Sequence, residues 1–456
     1  MDVISQAPQP TIKCYHSIIN GQAAKLLYQE FTPTSLDNAG KNLQSYSFEN
    51  SVENFGGSFS FSIKEDIPKY TYNTTFMDQV KPLDIIVISE RGDGQSIDFI
   101  GVVTKVSVGG ISSNLNKTVT VSGKSIEWLF TYYNINCDIK ACIFSNESVN
   151  NTLKVDLANN NGKTGMSIKD IVIKCLEVFN QQTNEHKGVS NFIIGDIIKN
   201  WYGEDYSSYI VASNEVFAYP ISSNLFDNGQ INIIDYLKKL FPAPLYEIYG
   251  YIDNYNKPKL GIRKAPFDNP RSSFILKPVQ LTDFTLTRSC EEVYTAFMPY
   301  IEGSSMSPDF YMNIAKAEGI KEDGYNYAGS IPEKVKLYGY QLLTCSFVGY
   351  NADPDNPAVD TDKLQKLQAD LVNWFGNLDD MYSGDFTVVN LLDRRMAKIG
   401  EWLEFTDGLF YVYTASHTWN YGDNPMINYQ VGRGGKWIND TFKPLDRLST
   451  VYREFE

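Results

Sequence analysis

Short runs of alternating apolar and polar residues dominate both ends of this chain, and helix-like spacing is confined to a few segments between them. Phe59-Ser60-Phe61-Ser62-Ile63 has the period of two that buries one face of a strand. Gly56-Gly57 just before it supplies a turn or bulge where side chains would obstruct. Asp84–Ser89, Ile97–Val108 and Thr118–Ser122 follow, each rich in β-branched residues and divided by Gly-, Asp- or Asn-rich breaks. Ser125–Phe130 predicts a short closing helix or turn. Several short strands with regular turn signals predict a small barrel or sandwich in residues 1–130.

The pattern changes over 131–275. Ser167-Ile168-Lys169-Asp170 has the form of a helix start, and Ile168, Ile171, Val172, Cys175, Leu176 and Phe179 then share one face, so a helix is predicted near 167–180. A second is predicted over 231–241, stopped by Pro242 and Pro244. Leu245–Ile252, a turn at Asp253–Lys257 and Lys259–Lys264 predict a hairpin. In 276–302 the alternation of Thr282–Thr287 predicts a strand, with Val293–Ile301 expected to pair beside it. An inserted subdomain is expected at 303–380, with a helix near 362–375 presenting Leu364, Leu367, Leu371 and Phe375 on one face. Strands resume at Asp385–Leu392, Glu401–Thr406, Leu409–Thr418 and Met426–Val431, closing a domain at 381–436.

The two ends echo each other. Phe99-Ile-Gly-Val-Val-Thr-Lys-Val-Ser107 lies ungapped against Leu409-Phe-Tyr-Val-Tyr-Thr-Ala-Ser-His417, with Val102 on Val412 and Thr104 on Thr414. Each is preceded by a short strand opened by an acidic residue, Asp84 or Glu401. Each is followed by a Gly-bearing loop and another strand, Thr118–Ser122 or Asn428–Gly432. One β motif used twice is therefore expected. The fold class read from the pattern is β-rich α+β: two similar small β-barrel domains with inserted mixed α/β subdomains.

Gly57-Ser-Phe-Ser-Phe-Ser-Ile63, Pro82-Leu-Asp-Ile-Ile-Val-Ile88, Phe99-Ile-Gly-Val-Val103 and Val119-Thr-Val-Ser-Gly-Lys-Ser125 together resemble the first barrel of baseplate hub proteins. These are hub subunits of contractile phage tails and phage-tail-like injection systems, related to late-control proteins. Gly408–His417, with Gly432-Arg433-Gly434 closing its hairpin, is similar to the second barrel of that family, where a His often stands near the strand end, as His417 does here. The resemblance implies a non-enzymatic hub: a homotrimer whose six quasi-equivalent barrels form a ring between a six-fold tail tube and a three-fold spike. Its implied partners are the tail tube or a tube-initiator protein, the central spike, the tape-measure protein and baseplate wedge proteins. The implied location is the tail baseplate of a virion or tail-like particle, assembled in the host cytoplasm. Two alternatives stand beside it: a carbohydrate-binding or adhesin-like β protein, and the tail-tip hub of a non-contractile tail.

Composition bears on these readings. The 456 residues exceed one ordinary core, and 43% apolar content fills several. Thirty Tyr and 26 Phe favour strands and protein-contact surfaces. A net charge of −14 lacks the cationic footprint of nucleic-acid binding, so DNA is expected only in transit. No apolar run reaches the ~20 residues that span a bilayer, and no signal-peptide pattern opens the chain.

Chemistry has few footholds. His16, His186 and His417 are far apart, and the six Cys form no CxxC pair, so neither a metal nor a cofactor is expected. HExxH and GxSxG are missing, and Gly162-Lys163-Thr164 ends a phosphate loop whose first glycine is replaced by Leu157. The carboxylate neighbours Glu291-Glu292, Asp379-Asp380 and Asp353/Asp355 do not establish a catalytic pair, so no catalytic residue is assigned. The segment 437–456 carries Trp437, Phe442, Leu445, Leu448, Tyr452 and Phe455 and is the candidate docking arm.

Overall fold

A computed structural model describes residues 10–20, 23–31, 41–66, 80–91, 96–109, 116–132, 134–135, 166–167, 169–170, 172–173, 176, 209–212, 216–217, 231–241, 244–266, 270–301, 330–347, 357–390, 396–439 and 441–445. The fold is β-rich with few helices, and most of its strands join one 14-stranded sheet.

The first set comprises β1 (Thr11–Asn20), β2 (Ala23–Phe31), β3 (Lys41–Ser51), β4 (Ser58–Asp66), β5 (Ile85–Ser89), β6 (Phe99–Gly109) and β7 (Asn116–Ser125). Their order across the sheet is β3-β4-β7-β6-β5-β1-β2, with every neighbouring pair antiparallel. Alternation decides which face turns in: Phe59, Phe61 and Ile63 are buried with Phe48, Phe99, Val103, Val119 and Val121, and the intervening serines point away. The Gly56-Gly57 expectation holds. Gly56 has φ +82°, and a Cβ on Gly57 would lie 2.1 Å from the Glu49 carbonyl oxygen.

The block between is mixed, as expected. A single turn, α1 (Leu129–Tyr132), follows β7. Short strands β8 (Asn134–Ile135), β9 (Met166–Ser167), β10 (Ile210–Ala212), β11 (Val216–Phe217) and β12 (Ile231–Asn232) come next. Of the helix expected near 167–180, residues 169–170, 172–173 and 176 are described as helical, and Val172 and Leu176 are fully buried. Asn232 caps α2 (Ile233–Leu240) by accepting the Asp235 N–H at 2.8 Å. The predicted hairpin is β13 (Tyr246–Ile252) with β14 (Pro258–Lys264), its turn held by Asp253 Oδ1 accepting the N–H groups of Tyr255 and Lys257.

The second set holds β15 (Ser272–Ile275), β16 (Leu281–Thr287), β19 (Tyr382–Val389), β20 (Trp402–Phe405), β21 (Gly408–Asn420), β22 (Met426–Ile438) and β23 (Thr441–Pro444). Between β16 and β19 come β17 (Ala296–Ile301), α3 (Pro332–Tyr338), β18 (Leu342–Phe347) and α4 (Pro357–Phe375). One expectation fails here: β17 does not pair beside β16. It runs parallel to β18, with Phe297 buried and the Gln368 amide of α4 donating to the Phe297 carbonyl. Alternation reports which faces are apolar and not which strand is the neighbour; the covering helix α4 made a parallel pair possible. The outer edge of β16 is left without a ladder among the described residues.

The two sets repeat one strand order. Across the sheet β3-β4-β7-β6-β5 corresponds to β16-β19-β22-β21-β20, in the same chain order and all antiparallel. The sixth place differs, because β1 is antiparallel to β5 and β15 parallel to β20. Two bulges also recur. β3 bulges between Leu43 and Ser45, and β16 between Leu281 and Asp283. β6 bulges between Val103 and Lys105, and β21 between Val412 and Thr414. The second pair sets Val103, not Val102, on Val412, one residue from the ungapped alignment. Both strands open with five buried residues, so the sequence offered no inward–outward contrast to fix the register there.

Candidate functional site

Among the described residues, a dense set of polar contacts lies at the joint between the two strand sets. Strand β21 forks: Gly408–Tyr411 pairs with β20, and Thr414–Asn420 turns to β3, from Thr414↔Ser51 to Asn420↔Ser45. Ser416 donates to Glu49 Oε2 at 2.7 Å, and Thr414 Oγ1 lies 3.1 Å from Ser51 Oγ. His417 stacks on its cross-strand partner Phe48 with centroids 4.3 Å apart.

Beneath this ladder Glu90, 1% exposed, gathers donors from both sets. Tyr46 Oη donates to Oε1 at 2.9 Å, His417 Nδ1 lies 3.1 Å from each oxygen, and Asn390 Nδ2 donates to Oε2. A buried carboxylate needs such donors, and these come from β3, β21 and the end of β19. Asp98 Oδ2 accepts the Glu90 N–H at 2.7 Å. Desolvation raises the Asp98 carboxyl to about 6, with the neighbouring Glu90 charge adding to the effect. Burial first, and then Glu90, likewise hold the Tyr46 hydroxyl well above its ordinary range.

The cluster opens on a cleft of about 400 Å³ lined by Asn50, Arg91, Asn254, Asn256 and Lys398 among others. Three of these side chains are engaged with the protein: Asn256 Oδ1 accepts the Ile97 N–H, and Lys398 donates to the Ile252 carbonyl and to Asn254. The arrangement has the chemistry of a clasp. No group of three or more His, Cys, Asp or Glu side chains able to hold a metal occurs among the described residues.

A second anchor fixes the hairpin to the second set. Arg263 donates to Glu247 Oε2 at 3.1 Å, to the Gly400 carbonyl and to Tyr411 Oη, and Tyr411 Oη donates to Glu247 Oε1 at 2.5 Å. A third holds the insert: the Arg433 guanidinium lies 3.6 Å from the Trp374 ring centroid and donates to the Trp374 carbonyl.

The candidate docking residues fall in different places. Trp437, the penultimate residue of β22, donates to the Pro270 carbonyl and is 41% exposed. Phe442 on β23 packs against Trp402 and Trp437, and Leu445 is fully buried in the core of the second set. Leu448, Tyr452 and Phe455 lie outside the described residues, as do His186, the Gly162–Thr164 turn, Asp353 and Asp355. Of Asp379-Asp380, both carboxylates pair with Lys334. Glu291-Glu292 is exposed. Glu90, Tyr46 and Asn390 were not singled out by sequence, because no local pattern marks three residues separated by 44 and 300 positions. Only His417 was.

No protein-family model matches the sequence, and no curated protein does. Among solved structures, the fold is similar to the 43 kDa tail protein of prophage MuSo2 from Shewanella oneidensis, at a TM-score of 0.48 and 10% identity over 93% of this chain and 98% of that one. A tail protein from Neisseria meningitidis matches at a TM-score of 0.47 and 10% identity, over 94% and 98%. A component of the type VI secretion system of Escherichia coli, itself described as structurally similar to bacteriophage tail proteins, matches at 0.40 and 6% identity, over 90% and 78%.

Proposed function

We propose that this chain is a structural hub subunit of a phage-tail or tail-like baseplate, acting by shape and symmetry without catalysis. Each strand set is one barrel of a ring, and three copies supply six barrels, so that a six-fold tail tube meets a three-fold spike. The observation that carries the reading is the repeated strand order with its two recurring bulges, because a ring of quasi-equivalent units requires one module used twice. The inserts, β8–β14 and β17–α4, break the likeness between the two units and face the outside of the ring or the spike. The partners are the tail tube or its initiator, the spike, the tape-measure protein and the wedge proteins. Trp437, the exposed member of the docking segment, is the described residue available to them.

With a charge of −14 on each chain, such a ring repels DNA or acidic cargo in transit at ranges up to roughly 8 Å at physiological salt. The test is mass and shape in solution. Sedimentation with electron microscopy should give a particle three times the 51.6 kDa chain mass with a central opening. A chain that stays monomeric both alone and with its tube and spike proteins would refute the reading.

A further inference from the structure

The joint inside the chain is a template for a joint between chains. The distal half of β21 pairs with β3. By the bulge-anchored correspondence, β6 stands where β21 does and β16 where β3 does. Strand β6 is divided at the same place: Phe99–Val102 pairs with β5, and Lys105–Gly109 has no second ladder on that side among the described residues. Strand β16 pairs with β19 alone, and its outer edge is open.

We propose that the distal half of β6 in one copy takes β16 of a second copy as its antiparallel neighbour. The register carries over from the internal joint. Thr414↔Ser51 becomes Lys105↔Ser289, Ser416↔Glu49 becomes Ser107↔Thr287, His417↔Phe48 becomes Val108↔Leu286, and Thr418↔Ser47 becomes Gly109↔Thr285. This deepens the hub reading and rests on it, since it names the surface through which the ring closes.

Exposure supports this assignment. Four consecutive residues of β16, Thr282–Thr285, are exposed, with Phe284 at 43%, and Val108 on β6 is 40% exposed. A free edge of this kind normally carries Lys, Pro or inward-pointing charge to prevent unwanted pairing. Leu281-Thr-Asp-Phe-Thr-Leu-Thr287 offers one Asp, and its bulge lies at the place where β3 has its own. The edge is shaped like β3, which is paired. The contact is head to tail, so it closes into a ring when the rotation per copy allows and otherwise runs as a filament. The two joints also differ in chemistry. Inside the chain the ladder is clasped by Glu90, Tyr46 and His417, whereas between chains Val108 and Leu286 make an apolar rung.

The experiment uses the full chain with the exposed Cys290 changed to Ser. Ser107→Cys and Thr287→Cys place thiols on directly opposed residues, about 5 Å apart between Cα atoms. After mild oxidation, mixed single variants should give a cross-linked pair and the double variant a covalent trimer, while each single variant alone gives neither. Val108→Lys should sediment as a monomer at concentrations where the parent is a trimer, and should melt where the parent does once that is diluted to a monomer. Should it fail to fold, the cross-link alone decides. A trimer that resists Val108→Lys and forms no cross-link overturns the β6–β16 contact while leaving the hub reading in place. A parent chain monomeric at every concentration, both alone and with its tube and spike proteins, overturns both. A ladder of ever longer cross-linked species overturns closure at three copies.

Discussion

Glu90 receives three side-chain donors from two distant parts of the chain, so its surroundings measure how firmly the joint is held. Tyr46→Phe removes one donor from a buried carboxylate and should cost about 2 kcal/mol, read as a lower urea midpoint with an unchanged slope. Gly123 is constrained by backbone, since a Cβ there would sit 2.0 Å from the Val102 carbonyl oxygen and 2.5 Å from the Phe59 ring. Gly123→Ala should therefore destabilise by about 3 kcal/mol in the same titration, because the carbonyl cannot swing aside as a side chain would. Two buried carboxyls set a pH dependence. Burial raises Asp98 to about 6 and Glu127 to about 7, the latter opposed by a hydrogen bond from Ser125. Both bind protons more tightly folded than unfolded, so their contribution is fully present below pH about 4 and is lost as pH rises through 6 to 7. Melting temperature should fall over that window, and Asp98→Asn with Glu127→Gln should flatten the fall.

At the scale of elements, polar anchors decide which pieces move together. The hairpin β13–β14 meets the second set through Arg263, whose partner Glu247 is 8% exposed. Arg263→Met keeps much of the apolar stem and leaves that carboxylate without its cation. It should cost about 3 kcal/mol, and amide exchange should quicken in β13 and β14 before it does in β4. The insert shows how an element acquires its partner. The positions Leu367, Leu371 and Phe375 were legible as one helical face, and all three are buried in α4. That α4 would cover β17, and so draw it into a parallel pair with β18, was not, because the covering residues lie about 70 positions away along the chain.

For the whole molecule, the repeat matters more than any single site. Two strand sets of like order already share one ladder inside the chain, and among the described residues each presents an edge that such a ladder would extend. A trimer built this way uses the same geometry six times, three within chains and three between them. Its stability should depend on protein concentration, so the melting temperature of the parent should rise as the chain is concentrated, and that of Val108→Lys should not.

Much of this was written along the chain. Alternation at Phe59–Ile63 determined a strand and its buried face, Pro242 and Pro244 marked the end of a helix, and the echo between Phe99–Ser107 and Leu409–His417 announced a module used twice. The correspondence of Leu43–Glu49 with Leu281–Thr287 escaped notice, because the two share few identities and are aligned by a bulge that only hydrogen bonding reveals. Pairing partners, ladder register and the gathering of Glu90, Tyr46, Asn390 and His417 were decided by the tertiary structure. Period and propensity act between residues a few positions apart, whereas a ladder or a buried charge is settled by groups that meet only once the chain has closed on itself.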